Sequence, residues 1–304
     1  MKEFKNIHSI AQGHSLLNLG KPKHPLISVI NNREVCFPTN LSNFRFVFDF
    51  YMITLKSSLQ GSLHYGRNSY DYEDGTVLFT APGQVITSGD IENKNVLEND
   101  GWTLVFHPDL IRKSSLGLVI DQYHFFSYNV MEGLHVSETE RKTITDIVKI
   151  IKQEYSQNID SHTQKLIISN IHLLLDYCTR YFDRQFYTRT NLNKDIVSRF
   201  EHLIKDYFNS PKNSELGIPK VEYFGRELNL SSHYLSDLLK KETGKNTLEQ
   251  IHYYLIEKAK MNLLNSSDSI SQIAYELGFE YPQHFSKLFK LKLGLSPTEF
   301  RNMN

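Results

Sequence analysis

The feature that most constrains this chain of 304 residues is an internal repeat. VEYFGRELNLSSHYLSDLLKKETG at 221–244 lies over ISQIAYELGFEYPQHFSKLFKLKLG at 270–294. At an offset of 49, Val221 aligns with Ile270, Phe224 with Ile273, Gly225 with Ala274, Glu227 with Glu276, Leu228 with Leu277 and Leu230 with Phe279. One residue is then inserted, and at an offset of 50 Leu235 aligns with Phe285, Ser236 with Ser286, Leu238 with Leu288, Leu239 with Phe289, Lys240 with Lys290 and Gly244 with Gly294. A single amphipathic helix pair is common, but two in register are the mark of a duplicated supersecondary unit.

The matched positions fit a helix-turn-helix, in which two short helices cross steeply over a tight turn. Gly225 and Ala274 are small where the second helix approaches the first. Asn229 and Gly278 follow four residues later, where the turn asks for positive φ; Gly tolerates it best and Asn next. Leu230 and Phe279 plug the corner. Leu235, Leu238 and Leu239, like Phe285, Leu288 and Phe289, place one apolar stripe on the second helix, so its other face is polar. The units are predicted at 221–242 and 270–293. Between them, Leu248 to Leu264 reads as one helix about 25 Å long at 1.5 Å per residue. A spacer of that scale can hold two helices near one turn of B-DNA apart, about 34 Å.

These residues resemble the DNA-binding half of the AraC/XylS family of bacterial transcription regulators. The resemblance covers about 193–302 and is densest in IAYELGFEYPQHFSKLFKLKLGLSPTEFR at 273–301, with its Gly-Phe turn, its Phe-Ser-Lys-Leu-Phe-Lys helix and the closing Phe300-Arg301. Ser296-Pro297 also suits the N-cap and first position of a last short helix. Two departures stand out. Glu280-Tyr281-Pro282 occupies a stretch where the family often has Ser, Thr or Asn. Asp237 sits where a basic residue is common, and it is either an acceptor for a cytosine amino group or a sign that this helix docks weakly.

The resemblance implies a sequence-specific, ligand-responsive activator that reads two successive major-groove segments, not an enzyme, and requiring no cofactor or metal. Its expected partners are double-stranded promoter DNA, a small-molecule effector, RNA polymerase and a second copy of the chain. The outward face of the first recognition helix carries Ser232, His233, Ser236, Asp237 and Lys240. The second carries Tyr281, Gln283, His284, Lys287 and Lys290. Gln283 suits adenine and Lys287 guanine, whereas Lys240, Lys241, Lys290 and Lys292 suit phosphates. His284 is either a reader or a packing residue beside Phe285.

The N-terminal half reads differently. Runs such as Arg45 to Leu55, Thr76 to Thr80 and Trp102 to Phe106 are rich in Phe, Val, Ile and Tyr and are punctuated by turns at Asp74-Gly75, Pro82-Gly83 and Asp100-Gly101. That pattern predicts an antiparallel β-barrel or jelly roll over 1–115. Its layout, GSLHYGRNSYDYEDGTVLFTAPGQV at 61–85 and GWTLVFHPDL at 101–110, resembles the cupin-like sensor halves of the same family. Catalytic cupins hold a metal with a His-x-His pair, a Glu and a later His; here His64 is followed by Tyr65 and Gly66, and no His follows Pro82-Gly83 near Glu73. The expected ligand-pocket residues are Phe46, Phe48, His64, Arg67, Tyr72, Phe79 and Trp102. A metal enzyme fused to a DNA-binding domain, and a barrel serving dimerisation alone, are the alternatives.

Residues 116–190 form the expected helical connector. Ser137 with Glu140 reads as a capping box opening a helix that carries Ile144, Ile147, Val148 and Ile151. A second helix from Ser161 to about Phe186 carries Ile167, Ile171, Leu174, Cys178 and Tyr181 at alternating steps of four and three. That seam packs either on its own barrel or on the same helix of a second chain. Thr188 to Lys194 reads as a junction, with Asn191 or Asn193 capping the first helix of a domain at 191–304. The overall class is thus α+β multidomain: barrel, helical dimerisation region, all-α tandem helix-turn-helix.

Composition adds exclusions. Cys36 and Cys178 alone imply neither a disulfide framework nor a thiolate zinc site, and no run is long and apolar enough for a signal peptide or a membrane span; a cytoplasmic location is expected. Formal charge is zero, from 34 basic and 34 acidic residues. The split at residue 190 leaves the C-terminal part with 15 basic against 14 acidic side chains. A polybasic binder is thereby excluded, and the local excess of Lys287, Lys290, Lys292 and Arg301 over Glu299 concentrates on and around the second recognition helix.

Overall fold

The computed structural model of the chain describes residues 3–35, 44–56, 75–87, 101–157, 160–210 and 212–303. The chain divides into two compact units, Met1–Arg189 and Thr190–Asn304.

Unit 1 holds two sheets among the described residues. One has three strands in the order β1 (Glu3–Ile7), β3 (Phe44–Phe48), β6 (Val85–Thr87); the other has five, in the order β2 (Ile27–Asn31), β7 (Trp102–Phe106), β4 (Tyr51–Lys56), β5 (Thr76–Thr80), β8 (Leu134–His135). The β-sheet character of this half is as expected, but β1 and β3 pair in parallel, and the described strands make two sheets rather than one closed barrel. The apolar run 45–55 holds two strands in different sheets. It breaks at Asp49-Phe50, where the Asp49 amide donates to the Ile7 carbonyl at 3.0 Å. The alternating pattern changes sheets there, and Phe46 and Phe50 enter one cluster with Ile7, Ile10 of helix α1 (Ile10–Leu16) and Val105.

Beyond two short helices, α2 (Pro108–Ile111) and α3 (Ser115–Val119), come α4 (Glu138–Glu154) and α5 (Thr163–Thr188). The capping box of Ser137 and Glu140 forms as predicted. An uncovered sheet edge invites foreign strands, and here both edges of the five-stranded sheet are partnered. The Val29 amide donates to the Tyr155 hydroxyl at 2.9 Å. At the other edge Gln185 accepts from the His135 amide at 2.8 Å and donates to the Gly133 carbonyl, while Arg184 bonds the His135 carbonyl at 2.6 Å and pairs with Glu140 at 2.9 Å.

The expected dimer seam is corrected by the fold. Ile167, Ile171, Leu174, Cys178 and Tyr181 are all buried within unit 1, Tyr181 the most exposed of them at 7%. Between the two readings of the 4,3 pattern, packing on its own domain is the one realised, because α4 and the β8 edge occupy that side of α5. Burial also pushes the Cys178 thiol up, so it is an inert core group. Cys36 lies outside the described residues.

Unit 2 is helical: α6 (Thr190–Asn209), α7 (Lys212–Leu216), α8 (Val221–Leu228), α9 (Ser232–Thr243), α10 (Thr247–Asn265), α11 (Ile270–Glu276), α12 (Pro282–Leu293) and α13 (Pro297–Met303). Because α6 begins at Thr190, positions 191 and 193, expected as caps, lie inside the helix. The buried Asn193 instead donates to Glu242 at 2.8 Å. One apolar cluster joins Phe200 and Ile204 of α6, Phe224, Leu235 and Leu239 of the first repeat, Leu255 and Ala259 of α10, and Ile273, Phe285 and Phe289 of the second. Both repeats therefore share a core with α10, which fixes the spacing of α9 and α12. Among the described residues no helix is long and apolar enough to cross a membrane.

Candidate nucleic-acid interface

The two turns are built alike. Asn229 adopts the left-handed conformation at φ 57°, and Gly278 has φ 86°. In each copy the amide of the corner residue returns to the carbonyl five residues back: Leu230 to Gly225 at 2.8 Å, Phe279 to Ala274 at 3.0 Å. That closure explains the small residues, since a Cβ at Gly225 would stand 2.8 Å from the Leu230 carbonyl oxygen. Pairing buried backbone groups in this way lets the chain reverse without orphaned donors.

The likeness extends beyond the aligned segments. Each second helix has twelve residues and ends on a left-handed glycine, with the Gly244 amide bonding the Lys240 carbonyl and the Gly294 amide the Lys290 carbonyl. Two residues later a capping box opens the next helix in both copies, Asn246 with Glu249 and Ser296 with Glu299. The backbone and hydroxyl bonds of Ser296 hold the Glu299 carboxyl below its ordinary range. The second unit has an additional brace from α7. Asn213, buried, donates to the Glu276 carbonyl at 2.6 Å, and a Cβ at Gly278 would meet the Asn213 carbonyl oxygen at 2.8 Å and the Gly217 carbon at 2.9 Å. Sequence reasoning missed Asn213, because a contact across some sixty residues leaves no periodic trace.

On α9, His233, Lys240 and Lys241 are exposed, and Ser232, Ser236 and Asp237 are half-buried. The Ser236 hydroxyl donates to Thr247 at 3.0 Å, which ties it to α10. On the α12 side, Tyr281, Gln283, His284, Lys287, Lys290 and Lys292 are all exposed. Tyr281 is the N-cap and not part of the helix; its hydroxyl pKa is raised by a hydrogen bond to Glu280 and by that carboxylate's charge. The His284 ring stands edge-on to Tyr281 with centroids 5.5 Å apart, so it lies outside the Phe285 core. Equivalent positions pair His233 with Gln283, Asp237 with Lys287 and Lys240 with Lys290 at the offset of 50. The middle pair is opposite in charge, so the two helices present different chemistry.

Two cations of the local excess lie off this face. Lys292 follows Gln283 by nine residues, half a turn round at about 100° per residue. It lies in a groove beside His252 of α10, whose imidazole pKa is lowered by burial and secondarily by that charge. Arg301 donates from Nε to the Leu263 carbonyl at 3.1 Å near the end of α10. The exposed face of the second helix that lies away from α10 therefore carries Gln283, His284, Lys287 and Lys290, with Tyr281 at its start.

Unit 1 contains a cavity of about 450 Å³. Its floor is the inner face of the five-stranded sheet, with Ile30, Met52, Thr54, Leu78, Thr103 and Val105; Phe48, Phe50 and Ile86 face it, and Phe182 of α5 closes one side. Of the expected pocket residues, Phe48 and Phe79 line it. Phe46 and Trp102 are core groups off its wall; Phe46 is fully buried, and the Trp102 indole donates to Thr145 at 3.1 Å. His64, Arg67 and Tyr72 lie outside the described residues. Alternation along 52, 54 and 56 could have found Met52 and Thr54. Among the described residues no group of three or more His, Cys, Asp or Glu side chains is placed to hold a metal ion.

Two matching helix-turn-helices on one core, each presenting a polar and cation-bearing helix, define a tandem helix-turn-helix DNA-binding domain. A family model described as a helix-turn-helix domain matches residues 224–303. The transcriptional regulatory protein YesN of Bacillus subtilis (strain 168) is 33% identical over 108 residues, 35% of this chain and 28% of that protein. The lactose operon transcription activator of Staphylococcus xylosus is 28% identical over 163 residues, 52% of this chain and 56% of that protein. The HTH-type transcriptional activator RhaS of Escherichia fergusonii is 38% identical over 72 residues, 24% of this chain and 26% of that protein. The chain thus spans from about a quarter to just over half the length of these relatives. Its C-terminal part is an AraC-type helix-turn-helix domain, and the relatives that share it are transcription regulators.

Proposed function

We propose that the whole chain is a ligand-responsive, sequence-specific transcription activator in which α9 and α12 enter two successive major-groove segments of promoter DNA. The observation that carries this is the pair of matched units on a common core, each exposing a twelve-residue helix face. His233, Asp237, Gln283, His284 and Lys287 are the proposed base readers; Lys240, Lys241 and Lys290 are the proposed phosphate contacts, and Ser232 and Tyr281 flank them. Opposite charge at Asp237 and Lys287 favours a site whose two halves differ in sequence: the carboxylate accepts from cytosine, the ammonium donates to guanine. Charged neutrality of the domain leaves modest nonspecific affinity, so binding rests on both helices together.

In the same reading the two sheets of unit 1 are a cupin-like jelly roll, its cavity receives the effector, and RNA polymerase is the downstream partner. A ligand acts by binding one arrangement of the dimer better than the other. Since the 4,3 seam of α5 is buried, a second copy would meet the outer side of that helix, where Leu166 and Leu173 are exposed seven residues apart. The deciding experiment is selection of DNA bound by the full chain from a random pool. Enrichment of a two-part site is expected, and a pool that stays unenriched refutes the reading.

A further inference from the structure

Within that regulatory reading, the cavity of unit 1 also carries information about what can fill it. Its volume of about 450 Å³ is that of a small-molecule site rather than a packing defect, since native interiors contain few voids larger than a water molecule. Of the polar side chains on its wall, which also include Lys56, Thr80 and Ser127, His14, Asn32, Gln84 and Glu132 are engaged with the protein. His14 bonds the Gly20 carbonyl through Nδ1 at 2.7 Å and the Ser28 hydroxyl through Nε2 at 2.9 Å. Asn32 donates to the Leu55 carbonyl at 2.9 Å and accepts from the Thr103 hydroxyl at 2.8 Å. Gln84 donates to the Phe126 carbonyl at 2.7 Å and accepts from the Ala81 amide at 3.1 Å. Glu132 accepts from the Asn129 amide at 2.7 Å.

Most of the surface left for a guest is apolar. Ile30, Met52, Leu78 and Val105 are the apolar part of the floor, and the rings of Phe48, Phe50, Phe79, Phe125 and Phe182 line much of the remaining wall. Phe79, Phe125 and Phe182 are in mutual contact, with centroids 4.4 Å apart for the first two and 5.3 Å for the last two. A polyhydroxylated guest such as a sugar would enter with many donors and acceptors and meet groups already paired, leaving its own unsatisfied. A planar or branched hydrocarbon body loses nothing by leaving water and gains edge and face contacts with the rings.

We infer that the cavity binds a neutral, largely apolar molecule, aromatic or branched aliphatic, and discriminates against sugars. Phe182 would sense it directly, six residues before the end of α5 and eight before the start of α6.

The test titrates the full chain with the neutral fluorophore N-phenyl-1-naphthylamine. Saturable binding of one probe per chain is expected, undisturbed by glucose, xylose or lactose. Met52→Trp and Leu78→Trp each place a ring into the void from the sheet floor; in whichever variant keeps the wild-type thermal transition, probe affinity should fall at least about tenfold. Absence of saturable binding by the wild-type chain, displacement by a sugar, or undiminished binding by a folded variant overturns the inference. DNA binding is followed in parallel. Probe bound without any change in DNA affinity would refute ligand responsiveness and leave the cavity's chemistry standing, whereas DNA binding without probe binding would do the reverse.

Discussion

Gly278→Ala tests the reasoning most directly, because the protein contains its own controls. Gly278, Gly244 and Gly294 all have φ between 77° and 86°, so each alanine incurs the left-handed penalty of about 1–2 kcal/mol. A Cβ at Gly244 or Gly294 would meet nothing within 4 Å, whereas at Gly278 it would stand 2.8–2.9 Å from the Asn213 carbonyl oxygen, the Asn213 Oδ1 and the Gly217 carbon. Those are mostly backbone atoms of a segment anchored by the Asn213–Glu276 bond, so they yield poorly, and overpacking adds about 1–3 kcal/mol. Gly278→Ala should therefore destabilise unit 2 by roughly 2–5 kcal/mol, against about 1–2 kcal/mol for Gly244→Ala or Gly294→Ala. Urea unfolding of the full chain followed by far-ultraviolet circular dichroism measures the difference, since helix dominates unit 2. Equal midpoints for Gly278→Ala and Gly294→Ala, at equal slopes, would refute the claim that the α7 segment braces the second turn.

Other outcomes follow from the same geometry. Gln283→Ala and Lys287→Ala should each relax base preference in one half of the site, with a loss of about 1–3 kcal/mol against the preferred sequence; binding measured on single-base variants reads it, and an unchanged preference rules out the assigned face. Lys290→Ala should weaken binding to all sequences alike and lower the slope of log affinity against log salt by about 0.9, while Lys292→Ala, turned toward His252, should leave that slope unchanged. Burial lowers the imidazole pKa of His252, and of His24 in unit 1. The unfolded chain then binds protons that the folded one refuses, so stability should be complete above about pH 6.5 and decline as pH falls below it. His252→Gln should flatten that decline in urea midpoints. Leu173→Glu should shift a sedimenting dimer toward monomer without changing the thermal transition; a persistent dimer would exclude the outer side of α5 as the contact.

The sequence by itself determined the tandem units, because their determinants are local. Small residue, left-handed residue, corner plug, glycine cap and capping box act through bonds spanning three to five residues, and each reads the same way whatever surrounds it. The helices at 138–154 and 247–265 were legible for the same reason, and so was the strand character of the first half. Tertiary structure decided which partner each face received. An apolar seam at steps of four and three says that α5 is covered and is silent about by what; the sheet edge and α4 take that place. Alternation through 45–55 cannot show that the chain changes sheets at Asp49. Charge counting places Lys292 and Arg301 on and around the second repeat's outer helix and no closer; three-dimensional packing turns the first toward the groove beside His252 and bonds the second to the Leu263 carbonyl near the end of α10. The cavity is wholly a product of the tertiary structure, since its walls come from strands, helices and loops distant in sequence, and only their meeting shows which polar groups are paired and which surface remains apolar.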